Sequence, residues 1–475
     1  MSGSTHIIGK QHFRFRYKGK ADALAIRNQL STMCNDELPV RLNKLFDDYD
    51  QADQVLRIDK LDVKVVLTDT DNLKEALVKA ILSQVEIALK SKLQEPGTSS
   101  LSFDKSFMKA LDFYLVRGFL PWWVSTKTSQ AFLLELETHW SLEFIEKMLV
   151  FLRPALASEA ARSRFLALIN KSQWKILVEQ ATRIHPSAWE DWLDELQILG
   201  TCLLPLSKAA DLERFSCITI LEWIVVKEAP LPDFVTFQGL FFQKLAQKGI
   251  IPNLEIINGQ DPAFLSPMLR KAFQEWKGLL KILAAVPEAN QKPEAPINNK
   301  VSEKKSDLSP DSPGILIHNS GMVILAPFLP EFFRRLKLIE NNAITDLSKA
   351  MAMLRQLSWG KSECLEFELV LEKTLCGIDL SETVESLVPL NDTEIAACEE
   401  LLQAVIENWS VLKNTSPDGL RMNFLQREGK LEMLEQQKTL IIQKEAHDIL
   451  LDYLPWNINM IKLPWMDQLL NVKWR

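Results

Sequence analysis

Gly360-Lys361-Ser362 has the closing residues of a phosphate-binding loop, in which backbone N–H groups and a lysine would cradle a polyphosphate. That loop needs a glycine five residues ahead of the Gly-Lys pair, and position 355 is Arg, so the match reads as chance. His447-Asp448 supplies two members of a nucleophilic triad, but no nucleophile motif accompanies it. The histidines at 6, 12, 139, 185, 318 and 447 share no metal-ligand spacing and read as isolated structural or surface groups. Six cysteines (Cys34, Cys202, Cys217, Cys364, Cys376, Cys398) include no Cys-x-x-Cys pair, which points to reduced, buried thiols. Asp47, Asp48, Asp50 and Asp53 crowd together but lack the glycine and terminal glutamate of a calcium loop, so a solvated turn is expected. No catalytic residue, cofactor-binding residue or metal ligand is assigned, and the chain reads as a non-enzyme.

Two other groups of residues are suited to recognition. Leu-Pro-Trp occurs three times, ending in Trp122, Trp456 and Trp465; Trp123 follows the first copy and Trp474 the last. Proline fixes its own φ and holds the preceding leucine extended, so each motif sets a large apolar plate at a defined corner. Such a plate either seals a small helical domain or anchors an interface. Trp140, Trp174, Trp223 and Trp409 instead fall within helical patterns and are expected in the core. The second group is His12-Phe-Arg-Phe-Arg-Tyr-Lys18. It places Phe13, Phe15 and Tyr17 on one side of a strand and Arg14, Arg16 and Lys18 on the other. Either this is an edge strand guarded by charge, or it docks on an acidic partner surface. The candidate partner-binding residues are therefore Arg14, Arg16, Lys18, Trp122, Trp123, Trp456, Trp465 and Trp474.

The elements that must position these groups are mainly helical. The chain has 475 residues, 47% hydrophobic and 25% charged, enough for several globular domains. Its net charge of −7 argues against a general nucleic-acid binder. No apolar stretch is long enough for stable membrane insertion. Residues 1–95 read as a β-α-β-α unit. Its strands lie at 12–18 and at about Val55 to Leu67, with a bulge near Asp59-Lys60 where the apolar alternation changes phase. Asp59 and Asp62 could face Arg14 or Arg16 if the two strands pair. One helix runs from about Ala21 to Asp48, broken near Pro39, and another starts at an Asn72 cap and ends at Pro96-Gly97. Residues 96–286 read as a multi-helix segment punctuated by prolines. Residues 287–313, rich in Pro, Glu, Asn, Lys and Ser, read as a flexible, disordered linker. Residues 314–475 read as a mostly helical domain. Helices are expected at about Ala343 to Trp359, Glu363 to Leu375 and Asp392 to Lys413, with a hairpin over Lys430 to Ile442.

Several phrases in the last third occur together in order. They are Gly321-Met-Val-Ile-Leu-Ala-Pro-Phe-Leu329, Leu371-Glu-Lys-Thr-Leu-Cys-Gly377, Trp409-Ser-Val-Leu-Lys-Asn-Thr-Ser416, Gly419-Leu-Arg-Met-Asn-Phe-Leu-Gln-Arg427 and the paired Leu-Pro-Trp motifs closing on Val472-Lys-Trp474. In this order they resemble the contractile injection system tape measure protein family of phage-tail-like particles, and Leu120-Pro-Trp-Trp123 resembles its N-terminal region. The family pattern favours Trp where Ala326 stands and Asn where Glu372 stands. The resemblance implies an assembly or scaffolding protein that works with tube and baseplate proteins and sets particle length. Carriage within the particle is implied as well, while a cytoplasmic location during assembly is expected because Met1 to His6 lack an apolar signal core. A general helical adaptor or assembly chaperone is the alternative, and homo-oligomer formation is open. A single continuous helix of this length would reach about 700 Å at roughly 1.5 Å per residue, but 22 prolines interrupt the chain.

Overall fold

The computed structural model describes residues 6–9, 11–16, 23–49, 54–58, 60–66, 73–94, 99–124, 128–182, 186–203, 209–226, 237–238, 241–242, 244–245, 270, 274, 314–384, 387–412, 414–434 and 437–474. The chain is mainly helical, as its periodicity predicts. Packing divides it into two compact units: Met1–Leu111 with Pro121–Thr126, and Asp112–Leu120 with Lys127–Arg475. The linker read over 287–313, the Asn72 cap, Pro96-Gly97 and Lys18 all lie outside the described residues.

In the first unit α1 (Ala23–Thr32) and α2 (Leu38–Asp47) are separated by one π-helical turn, Met33–Glu37. The break falls just ahead of Pro39, which has no N–H for a continuing ladder and is tolerated in the first turn of α2. Along α3 (Leu73–Gln94), Leu77, Ile81 and Val85 recur every four residues. With Val78 they meet Met33, Leu38 and Leu42 in one apolar core.

The strands of this unit differ from the sequence expectation. β1 is Gln54–Arg57, and its antiparallel partner is β2 (Ser99–Ser102), not residues 12–18. Residues 11–16 form no ladder. The ladder ends at Arg57, and Asp59, half of the expected bulge, lies outside the described residues. Where the alternation changes phase the ladder stops, and residues 60–66 continue without one, with Leu61 and Val65 turned onto the core.

After α4 (Phe103–Arg117), the second unit adds α5 (Ser129–His139), α6 (Leu142–Leu156), α7 (Glu159–Leu168), α8 (Lys171–Thr182), α9 (Pro186–Leu203) and α10 (Ala209–Val226). Thr128 and Ser141 cap α5 and α6 by accepting from the N–H groups of Ala131 (3.3 Å) and Phe144 (3.2 Å). Phe144, Ile145, Met148, Leu152, Ala155 and Leu156 form the buried face of α6. Trp189 and Trp192 lie against Phe237, with ring centroids 5.8 and 6.0 Å away. Trp174, Trp223 and Trp409 are buried as expected, and Trp140 is half-buried.

Beyond residue 314 the helices are α11 (Leu329–Arg335), α12 (Leu347–Trp359), α13 (Val370–Cys376), α14 (Asp392–Asn408) and the single turn α15 (Pro417–Leu420). The helix expected from Ala343 starts later. Ala343–Ile344 (β5) pairs with Ile339–Glu340 (β4) across Asn341 and Asn342, both at positive φ, and Asp346 then caps α12. Asn391 and Glu394 form a reciprocal capping box on α14. The hairpin is present as β6 (Gly429–Leu434) and β7 (Gln437–Ile442). It belongs to a five-stranded sheet that the sequence reading lacks, in the order β3 (Ile315–Ile317), β6, β7, β9 (Leu470–Lys473), β8 (Met460–Ile461). β7 and β9 run parallel and the other neighbours antiparallel. Ile315, Ile317, Leu431, Leu440, Ile442, Leu470 and Val472 place the sheet's inner face in the core shared with α11 to α14.

Candidate functional site

The helix expected over Glu363 to Leu375 is preceded by a separate 3-10 turn, Glu366-Phe367-Glu368. Its three successive side chains reach three parts of the earlier chain. Glu366 Oε2 accepts from Arg164 Nε at 2.9 Å, and Oε1 from Arg164 Nη2 at 3.1 Å. Arg164 also donates to the carbonyls of Leu115 (2.8 Å), Val116 (3.3 Å) and Ser381 (2.6 Å), so every guanidinium nitrogen is engaged. Lys373 donates to the same Glu366 carboxylate and to the carbonyls of Leu380 (2.9 Å) and Glu382 (2.6 Å). Burial pulls the Lys373 pKa down, and Glu366 opposes that fall. Phe367 meets the rings of Tyr114 (5.6 Å) and Phe132 (5.4 Å) edge-on. Glu368 accepts the Ser129 N–H at 2.6 Å and the Ser129 hydroxyl, and also pairs with Arg355. Its charge thereby meets the N-terminus of α5, where the helix dipole favours an anion. One turn thus ties α5 and α7 to α12 and α13.

The two C-terminal Leu-Pro-Trp corners use their indole N–H groups to satisfy carbonyls at helix ends, which have no partner within the helix. Trp465 donates to Leu375 O in the last turn of α13 at 2.8 Å and stacks on Phe333 at 5.5 Å. Trp456 donates to Ile324 O at 3.0 Å, near the end of a 3-10 helix, Ser320–Leu325, and meets Phe328 edge-on at 4.9 Å. Gly377 closes α13 at φ +77, and a Cβ there would lie 2.9 Å from the Trp465 carbonyl oxygen. Trp474 is 2% exposed. Its N–H reaches Asp448 Oδ2 at 3.2 Å, and the Arg427 guanidinium lies 5.7 Å from its ring. Arg427 in turn holds Asp448 Oδ1 at 2.9 Å and Asn423 O at 2.8 Å. The C-terminal phrases picked out in the sequence are therefore in contact with one another, Trp409 joining them through the Phe424 ring at 4.8 Å.

A second buried cluster surrounds Glu372, which is 0% exposed. Oε1 accepts from Asn319 Nδ2 at 2.7 Å, whereas Oε2 has no hydrogen-bond partner. Asn319 also approaches Ser358 Oγ at 3.4 Å. Burial pushes the Glu372 pKa up to about 7, against the opposing pull of the Arg355 charge and the Asn319 hydrogen bond.

The other sequence candidates are surface groups. Arg14 and Arg16 are exposed on the extended stretch 11–16, where Phe13 and Phe15 stack at 6.1 Å and 10°. Trp122 and Trp123, in the first unit, are half-buried and meet edge-on at 6.1 Å. The acid–base suspects have structural posts. Gly360 is the left-handed C-cap of α12. His447 contacts Asn423 O at 2.6 Å and Arg427 at 2.7 Å, and Asp448 accepts the Glu445 N–H at 2.9 Å as part of a cap. Burial pushes the thiols of Cys364 and Cys398 up to about 12 and raises those of Cys217 and Cys376 as well, which disfavours the reactive thiolate. Among the described residues no group of three His, Cys, Asp or Glu side chains could hold a metal, and no helix is long and apolar enough to cross a membrane.

The glutamate turn escaped the sequence reading because Glu366 and Glu368 look like ordinary surface charges of a helix. Buried Arg164 carries no local signal either; only its partner 202 positions away gives it a role. A family model described as contractile injection system tape measure protein matches residues 5–474. No curated protein and no solved structure matches the chain.

Proposed function

Because the chain belongs to the contractile injection system tape measure protein family, we propose that it is a non-enzymatic assembly scaffold that engages tube and baseplate proteins of the particle. The observation that carries the reading is the buried Glu366-Phe367-Glu368 turn. It spends three ionic or aromatic side chains on holding chain segments together and leaves none of them for chemistry. A scaffold needs such rigidity to present a surface in fixed geometry. Arg14, Arg16, Trp122 and Trp123 are the partner-facing residues in this reading. The tryptophans at 456, 465 and 474 shape the second unit from within.

A literal ruler draws little support from helix length. The longest described helix has 22 residues, about 33 Å at 1.5 Å per residue. The alternative, an adaptor or assembly chaperone with no length-setting role, draws support from the packing on either side of 287–313. Residues before and after that stretch fall in one compact unit, so its contour length need not separate them. Deleting the gene and imaging the remaining particles tests both. Absence of particles identifies an essential scaffold or initiator, and particles of scattered length identify a ruler. Normal particles would refute both. Shortening 287–313 then separates them, since a ruler predicts shorter particles and an adaptor predicts unchanged length.

A further inference from the structure

Residues 11–16 have the form of a β-strand without its sheet. Phe13 and Phe15 lie nearly parallel, 6.1 Å apart, on one side, the spacing of alternate residues in an extended chain. Their exposures are 37% and 43%. Arg14 and Arg16, one position out of phase, are exposed as well. Among the described residues, 11–16 enter no ladder, backbone hydrogen bond or ion pair. The segment thus offers a bare N–H and C=O edge, two phenyl rings and two guanidinium groups at once. Natural proteins seldom leave an apolar strand edge open without a covering partner.

Among the described residues, no strand edge of a second copy supplies that partner. Antiparallel pairing of two 11–16 segments in a register that keeps the phenyl rings together on one face sets arginines against arginines on the other, which destabilises a sheet. Residues 60–66 carry Lys60 and Lys64 around Asp62, and β1 ends in Arg57. The edges β3 and β8, Ile315–Ile317 and Met460–Ile461, carry no carboxylate, and β4, Ile339–Glu340, offers one carboxylate in a strand of two residues, too short to meet both arginines.

We propose that residues 11–16 dock by adding themselves as a strand to the open sheet edge of a different protein, one whose edge strand alternates carboxylates with apolar side chains. The backbone supplies the affinity, the carboxylates pair with Arg14 and Arg16, and the apolar positions cover Phe13 and Phe15. This rests on the scaffold reading and adds to it the mode of attachment and the chemistry of the partner.

Hydrogen exchange on the full chain tests it, with a synthetic nonapeptide of alternating valine and glutamate as probe. In the free chain the 11–16 amides should exchange fast. At a peptide concentration about ten times its Kd, alternate amides should slow roughly tenfold, because a strand turns every second N–H to one edge. The same peptide with lysine for glutamate should have no effect. The double variant Arg14→Glu/Arg16→Glu should exchange these preferences. Protection that grows with chain concentration alone would identify self-pairing and overturn the proposal. So would uniform protection of all six amides, or none at millimolar peptide. Particle assembly by the double variant is scored separately. If assembly fails while the peptide is ignored, the scaffold reading stands and the strand-addition mode does not.

Discussion

Replacing Glu372 by Gln should stabilise the protein at pH 8 and leave it nearly unchanged at pH 4. The side chain is fully buried, and one carboxylate oxygen has no partner, so ionisation inside the fold is costly. Burial raises its pKa from the ordinary glutamate value of 4.5 to about 7. The folded state therefore binds this proton more tightly than the unfolded state does. The stabilisation is complete below pH 4.5, falls as pH rises through the interval, and is gone above about 7. At about 1.4 kcal/mol for each tenfold change, that interval is worth about 3 kcal/mol. Glutamine keeps the shape and the acceptor for Asn319 but cannot ionise. Urea unfolding of the two proteins, followed by tryptophan fluorescence from pH 4 to pH 8, gives the difference directly, and titrations elsewhere cancel. The wild type should lose about 3 kcal/mol relative to the variant across that range. A difference that stays flat with pH, or one in which the wild type gains as pH rises, would refute the reasoning.

Arg164→Ala leaves Glu366 buried with only Lys373 and strips donors from three carbonyls; thermal and urea unfolding should report a loss of about 3–5 kcal/mol. In Gly321→Ala the new methyl would overlap the Phe424 carbonyl oxygen, a backbone atom that cannot swing away, so purified variant should show no cooperative near-UV transition. Trp465→Phe keeps the stack on Phe333 but leaves Leu375 O without its donor, which should cost about 1–3 kcal/mol in urea unfolding.

Features set by neighbours in sequence were legible, and features set by distant partners were not. The break before Pro39 and the hairpin at 430–442 follow from residues a few positions apart. The five-stranded sheet depends on β3 meeting β6 and on β9 running parallel to β7. β8 and β9 have two and four residues, too short to show alternation. The Leu-Pro-Trp motifs announced corners, yet their sequence could not say which carbonyl each indole would meet. The partners of Trp456 and Trp465 lie 132 and 90 positions away. Residues 12–18 had the alternation of a strand, but alternation describes one side of a ladder and cannot supply the other.

The pairing of Arg164 with Glu366 closes a circuit 202 positions around. A tether fastened at both ends to one body carries no tension and reports no distance. Doubling the length of a loop costs only about 0.6 kcal/mol, so a change of chain length between Arg164 and Glu366 should cost the clasp little. The clasp, and everything it holds in register, is then set by its two ends and not by the length of chain between them.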